Sequence, residues 1–350
     1  MVEAKHGVTI VICCHDSAGR LPPTLTHLAA QRVPTGIPWE VLVVDNASTD
    51  GTAQTAIDHW PHDAPAPLRV VREPQLGLSH ARRRGLLDAR YEIVSFVDDD
   101  NWVCPEWVQT LVEVMGERAD VGACGGFSEA ECEVSPPAWF ARHAANYAVG
   151  PQGPEPGDIT GSRGFLWGVG FTLRQSAWRQ LVDNGFRPLS VDRRGKALTS
   201  GGDSELSYAL RLGGWRLWYE PRLYARHFLP AERLTWAYLR RLFRGFGMAH
   251  IELEPYRLAL NPSPASRQQR WQWRLLAELN RLAGLCAKQA LTLHYPGEGD
   301  DRALQFELAV GRIVKLLRVR EAYDASIREV RDARWRRIHL TRAIRFEDTA

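Results

Sequence analysis

Residues 95–102 read S-F-V-D-D-D-N-W, an apolar run that stops on Asp98, Asp99 and Asp100. Three adjacent carboxylates repel one another, so their place at the end of a buried strand calls for a partner. The same arrangement occurs twice upstream. V-T-I-V-I-C-C (residues 8–14) ends on His15-Asp16, and W-E-V-L-V-V (residues 39–44) ends on Asp45-Asn46. Short β-branched runs of this kind predict strands buried on both faces. A fourth strand is expected at L-R-V-V-R (residues 68–72). Helical segments fall between them at 21–31, from Asp50-Gly51-Thr52 onward with Ser48 or Asp50 as N-cap, at 78–90 and at 105–116. Strand–helix alternation predicts an α/β fold with a Rossmann-like, mostly parallel central sheet and flanking helices. In such sheets ligands bind beyond the carboxyl ends of the strands, which puts Asp16, Asp45 and Asp98 to Asp100 along one crevice.

The pattern weakens over residues 122–230. Pro136-Pro137 and G-P-Q-G-P-E-P-G (150–157) predict loops, and G-F-L-W-G-V-G-F-T-L-R (164–174) a glycine-flanked strand. A helix is expected at 205–212 and a final strand at W-R-L-W-Y-E-P (215–221). From Ala231 the texture changes to amphipathic helices bearing Arg and Trp, with a connector at 261–266 and further helices at 303–319 and 323–338. The division is therefore into residues 1–230 and a basic, helical C-terminal extension, 231–350. Of the 44 Lys and Arg, 22 fall after Pro230, against 14 of the 41 Asp and Glu. That imbalance points residues 231–350 toward an anionic surface such as the inner membrane face, toward a homodimer interface, or simply toward solvent. Arg240, Arg241 and Arg244, at helical spacing, suit a diphosphate or a lipid headgroup, or else form a solvated helix face. A net charge of +3 is too small to point to nucleic acid. The N-terminal apolar run is too short for a signal peptide, and the six cysteines form no C-x-x-C pairs. Both features predict a cytoplasmic protein with reduced thiols, peripheral at the membrane if it touches one.

On the residues alone, Asp98 to Asp100 suit either a hard divalent cation that shares a substrate's phosphates or a solvated acidic turn ahead of a helix. The ordered set V-T-I-V-I-C-C-H-D-S-A-G-R-L, V-L-V-V-D-N-A-S-T-D-G-T, L-G-L-S-H-A-R-R-R-G, F-V-D-D-D-N-W and G-G-D-S-E-L resembles family 2 glycosyltransferases of the GT-A fold. The resemblance runs from residue 8 to about 230. The continuation H-F-L-P-A-E-R-L-T-W-A-Y-L-R-R-L is similar to a subgroup of hormogonium and exopolysaccharide glycosyltransferases.

The resemblance implies an inverting, metal-dependent hexosyltransferase that moves a sugar from a nucleotide-diphosphate donor, a UDP-sugar first, to a hydroxyl of a glycan, lipid-linked or other acceptor. It implies that Asp45 meets the nucleobase beside a wall at Cys14 and Asp16, and that Gly77 and Arg82 lie near the nucleotide. Asp98 and Asp99 join the donor site, with Asp98 toward the ribose. Asp100, with Asp98 and His227, holds Mn²⁺ or Mg²⁺. Asp203 is the base that takes the acceptor proton, and Trp167, Trp102 and Glu205 serve the acceptor. Two departures stand out: Cys13-Cys14-His15-Asp16 replaces the usual Pro-Thr-Tyr-Asn, and Gly202 replaces the Glu before the base. Two rival readings follow, a catalytically degenerate nucleotide-sugar-binding scaffold and a sugar nucleotidyltransferase. The second needs a glycine-rich phosphate loop that C-C-H-D-S-A-G-R-L renders poorly.

Overall fold

A computed structural model describes residues 5–189, 201–262, 270–292 and 297–336. Part of the connector expected at 261–266, and the last helix beyond residue 336, lie outside the described residues. The chain opens with β1 (Lys5–Cys14), α1 (Leu21–Ala29), β2 (Trp39–Asp45), α2 (Thr52–His59), β3 (Leu68–Arg72), α3 (Leu78–Asp88) and β4 (Tyr91–Phe96). It continues through β5 (Asn101–Val103), α4 (Trp107–Glu117), β6 (Val121–Cys132), α5 (Phe140–His143), β7 (Gly157–Asp158), β8 (Thr172–Arg174), α6 (Gln175–Asp183), α7 (Gly202–Leu212) and β9 (Arg216–Leu229). Helices α8 (Trp236–Glu252), α9 (Glu254–Leu260), α10 (Trp271–Thr292), α11 (Asp301–Arg318) and α12 (Tyr323–Arg331) complete it.

The strands form one sheet in the order β3-β2-β1-β4-β8-β6-β9-β5, with β7 beside β9. Strands β1 to β4 pair in parallel as their apolar runs predict. Register explains why their polar ends converge. Cys14 lies opposite Asp45 and Val11 opposite both Leu42 and Phe96, so the three chains leave the sheet at nearly the same level. All seven residues of β2 are buried, as a strand covered on both faces requires.

The second half of the sheet differs from expectation. β8 runs antiparallel to β4 and β6, and β5 and β7 run antiparallel to β9, so the sheet is mixed. The strand expected at 164–174 shrinks to three residues. Gly164 and Gly170 take φ values of +72° and +65°, in the left-handed region where the chain turns away from a ladder. The final strand is longer than its apolar core suggested and runs on through Pro221. The proline is tolerated because the ladder with β6 shifts register there, between Gly125–Tyr219 and Phe127–Tyr224.

The C-terminal helices share cores with the sheet unit. Tyr256, Ala259, Val330 and Trp335 pack in the cluster that holds Leu173 and Leu210. Leu234, Tyr238, Leu239 and Leu242 pack with Trp139, Phe140 and Tyr147. Helices α8 and α11 cross where Gly247 meets Gly311, and a Cβ on Gly247 would lie 2.2 Å from the Leu308 carbonyl oxygen. The buried carboxylate of Glu307 then takes Arg240 at 2.6 Å and Arg244 at 2.7 Å, so two of the three helically spaced arginines serve this crossing.

Candidate active site

The loops beyond β1 and β2 are knitted together before they meet anything else. Asp16 adopts φ +47°, its amide donates to Ser48 Oγ (3.1 Å), and its carboxylate accepts from the Thr49 amide at 2.8 Å. The Asp45 carboxylate, almost fully buried, accepts from the Ser48 amide at 3.2 Å. Its neighbour Asn46 is a fastener that sequence reasoning passed over. Asn46 Nδ2 donates to the carbonyls of Glu73 and Gln75, and its Oδ1 accepts from the Gly77 amide at 2.8 Å. Gly77 itself, at φ +141°, admits no ordinary side chain and opens α3. Cys14 is buried, as is the Cys13 side chain for the most part. Burial pushes the Cys13 thiol up to about 12 and raises that of Cys14, so both stay protonated wall residues.

The three aspartates each meet a different arginine, from three different elements. Burial pushes Asp98 up to about 7, opposed by the nearby Arg82 of α3 and reinforced by Asp100, Asp203 and Asp99. Asp99 accepts from Arg20 Nη2 at 2.8 Å and from Ser17 Oγ, while Thr24 Oγ1 holds its carbonyl at 3.0 Å. Burial and then Asp100 raise the Asp99 carboxyl, against the pull of Arg20. Asp100 is buried. Arg233 Nη1 donates to its Oδ2 at 3.0 Å and Asn101 Nδ2 to its Oδ1 at 2.9 Å.

Strand β5 brings His227 to the same carboxylate. Asn101 pairs with His227 across the β5–β9 ladder, which sets His227 Nε2 3.8 Å from Asp100 Oδ1. The Tyr147 carbonyl, which can only accept, lies 3.0 Å from Nδ1, so Nδ1 carries a proton and Nε2 is the ring atom turned toward Asp100. One carboxylate oxygen and one imidazole nitrogen facing each other suit Mn²⁺ or Mg²⁺ in part. Among the described residues no group of three or more His, Cys, Asp or Glu side chains is arranged to cage an ion alone. Asp100 and His227 therefore fit a cation whose remaining positions a substrate fills.

Asp203 lies in the first turn of α7, where the helix dipole favours an anion. Its Oδ1 pairs with Arg82 Nη1 at 2.5 Å, so Arg82 joins the carboxylate of α7 to the Asp98 end of the cluster. The loop 164–170 runs along α7: Leu166 donates to Ser207 Oγ at 3.2 Å, and Arg211 Nη1 donates to the Gly164 carbonyl at 3.0 Å. A Cβ on Gly168 would stand 2.5 Å from Asp203 Oδ2, so this glycine is what lets backbone and carboxylate touch. Trp167, next to it, is held through its amide by the buried Gln152 (2.7 Å), with the Arg163 guanidinium 4.2 Å over its ring. Trp102 is stacked with both His27 and Phe228. Glu205 is buried, and its carboxylate accepts from the Leu189 amide (2.5 Å) and from Tyr256 Oη (2.6 Å), fixing α7 to α9. The structure thus gathers Arg82, Asp98, Asp99, Asp100, Asp203 and His227. It places Trp102 and Glu205 in contacts of their own.

A central sheet whose crossing strands deliver carboxylates to one edge is the architecture of the GT-A glycosyltransferases. The fold is shared with the mannosyltransferase PcManGT of Pyrobaculum calidifontis, solved with GDP-Man and Mn²⁺ (TM-score 0.54, 19% identity, 90% of this chain and 89% of that one). Residues 9–181, just under half of the chain, match the family described as Glycosyl transferase family 2, and this part of the chain is a glycosyltransferase domain of that family. Among curated relatives, the succinoglycan biosynthesis protein ExoM of Rhizobium meliloti is 26% identical over 337 residues, 95% of this chain and 99% of its own length. The putative glycosyltransferase EpsH of Bacillus subtilis is 26% identical over 92 residues, so the match spans about a quarter of either chain.

Proposed function

We propose that this glycosyltransferase is inverting and metal-dependent. It moves a hexose from a nucleoside diphosphate sugar, a UDP-sugar first, to a hydroxyl of a growing bacterial polysaccharide or glycoconjugate. The observation that carries this reading is the single cluster in which Asp98, Asp100 and His227 meet Asp203 through Arg82. ExoM, named for succinoglycan biosynthesis and matched over nearly its whole length, supports the polymer context. A divalent cation at Asp100 and His227 would offset the charge that builds on the departing diphosphate. Asp45 and the knitted 14–17 and 45–49 loops receive the base, and Asp98 the ribose. Asp203 takes the proton of the acceptor hydroxyl as that oxygen attacks the anomeric carbon from the face opposite the diphosphate. Trp167, carried on the loop that touches Asp203, offers its ring to the acceptor sugar.

Calorimetry with UDP, GDP and dTDP, with and without Mn²⁺, tests this reading on the wild type and Asp100→Ala. One nucleotide is expected to bind tightly in a manner that needs both the metal and Asp100. Absence of metal-dependent binding for all three would sink it. Tight binding without hydrolysis or transfer would favour the scaffold reading instead.

The extension from Ala231 supports peripheral membrane contact. The exposed side of α10 carries Trp273, Leu276 and Leu279, with Arg281 beside them, and its acid Glu278 is buried against Arg274. Such a face suits an anionic lipid surface, and no helix among the described residues is long and apolar enough to cross a membrane. The full chain is expected to float with vesicles containing phosphatidylglycerol, and Trp273→Ser with Leu276→Ser to abolish flotation. Equal recovery with and without vesicles would remove the membrane and leave a homodimer interface or a solvated surface as the readings of this face.

A further inference from the structure

Arg233 occupies the carboxylate that the proposed metal needs. It comes from the 3₁₀ turn Ala231–Leu234, and its Nη1 lies 3.0 Å from Asp100 Oδ2, on the carboxylate whose Oδ1 faces His227 Nε2 at 3.8 Å. A doubly charged ion placed between Asp100 and His227 would share one buried carboxylate with a guanidinium. A guanidinium does not lose its charge in a protein, so relief by deprotonation is closed to it. It has to move.

We propose that Arg233 is a resident counter-cation: it neutralises Asp100 while the donor site is empty, gives way when a divalent cation binds, and then grips the diphosphate of the incoming nucleotide. This inference rests on the donor-site reading above and adds a residue which that reading did not contain. The geometry allows the exchange. The backbone of Arg233 is fixed, its amide donating to the Pro230 carbonyl (2.9 Å) and its carbonyl accepting from Tyr147 Oη (3.1 Å). Only the long side chain, still 22% exposed, has to swing. Tyr147 also holds His227 Nδ1 through its own carbonyl at 3.0 Å, so one residue braces both groups that flank Asp100. The planar fork of a guanidinium pairs two oxygens at once, which a diphosphate provides and a lone carboxylate already bonded by Asn101 provides less well.

Binding of Mn²⁺ alone, followed by the electron paramagnetic resonance of the free ion, tests the proposal on the wild type, Arg233→Met, Arg233→Lys and Asp100→Asn. Each variant is first checked for native circular dichroism. Arg233→Met is expected to bind Mn²⁺ about tenfold more tightly than wild type, the effect of removing one adjacent like charge. At saturating Mn²⁺ the same variant is expected to bind UDP or GDP about tenfold more weakly, having lost a charge-assisted pair. Arg233→Lys, which keeps the charge but loses the fork, should fall between on both measurements. Unchanged or weaker Mn²⁺ binding in Arg233→Met, or unchanged nucleotide binding, overturns the proposal while Asp100→Asn still abolishes Mn²⁺ binding. If Asp100→Asn binds Mn²⁺ as the wild type does, the donor-site reading has failed, and this inference with it.

Discussion

Replacing Asp203 by Asn is expected to leave the chain folded and its nucleotide affinity intact while transfer falls on the order of 10²–10⁴-fold, the usual contribution of a positioned general base. The substitution keeps the shape and one oxygen acceptor for Arg82, so the contact now made at 2.5 Å can persist. What is lost is the capacity to take a proton. Steady-state transfer to a soluble acceptor, alongside calorimetry with the same nucleotide, separates the two effects. A fall in kcat at constant nucleotide affinity supports the base; a kcat within a few-fold of wild type would assign Asp203 to the helix N-terminus alone. The neighbouring Gly202 bears on the result. Gly202 precedes Asp203, and Arg82 with the bare backbone at Gly168 holds the Asp203 carboxylate in place. The nearby acid Glu205 is engaged elsewhere, by Leu189 and Tyr256.

Those particulars show what a linear reading reaches. Residues at the ends of β1, β2 and β4 were legible because a buried parallel strand is a run of apolar residues that must end on something polar, and the register makes three such ends coincide. Asp203 was legible from a motif local to one helix turn. The second half of the sheet was not, because β5, β7 and β8 span only two or three residues each and owe their existence to the long β9 and β6 beside them. Two or three residues carry no periodicity. The partners of the aspartates were hidden for a different reason. Arg20 lies 79 positions from Asp99, and Arg233 lies 133 from Asp100. An arginine in a loop carries no mark of the carboxylate it will meet. Asn46 was closer to legible, since an Asn after a buried strand can mimic backbone and tie down a following loop, and it does so for residues 73–77. Tyr256, on which Glu205 depends, belongs to a helix that sequence texture assigned to a separate extension. Its burial in the core shared with Leu210 shows how closely that extension is joined to α7.

The same cluster sets an unusual pH dependence for the ligand-free protein. Asp98 titrates at about 7 because burial, opposed by Arg82 and reinforced by Asp100, Asp203 and Asp99, disfavours its charge. An unfolded Asp titrates near 3.9. Between those values the folded chain holds a proton that the unfolded chain has released. This contribution to stability is therefore fully present below about pH 4, declines as pH rises toward 7, and stays lost above it. An aspartate whose pKa is depressed by a salt bridge would behave in the opposite way. Asp98→Asn keeps the size of the side chain and removes the charge. At pH 8 it is expected to be more stable than wild type by on the order of 2 kcal/mol, after allowing for solvent screening at the cluster's mouth. At about pH 3.5, where Asp98 is neutral in the folded chain and mostly neutral in the unfolded one, the two should nearly coincide. Urea melts across this range read the difference directly; a wild-type–variant gap that does not change with pH, or a variant less stable at pH 8, would refute the assignment. On the proposed donor-site reading, such a gap is the cost of holding carboxylates in place before a cation and a diphosphate arrive, and three arginines reduce that cost without removing it. The extra stability of Asp98→Asn should therefore come with weaker nucleotide binding, because the charge that disfavours the empty fold is the one the bound state uses.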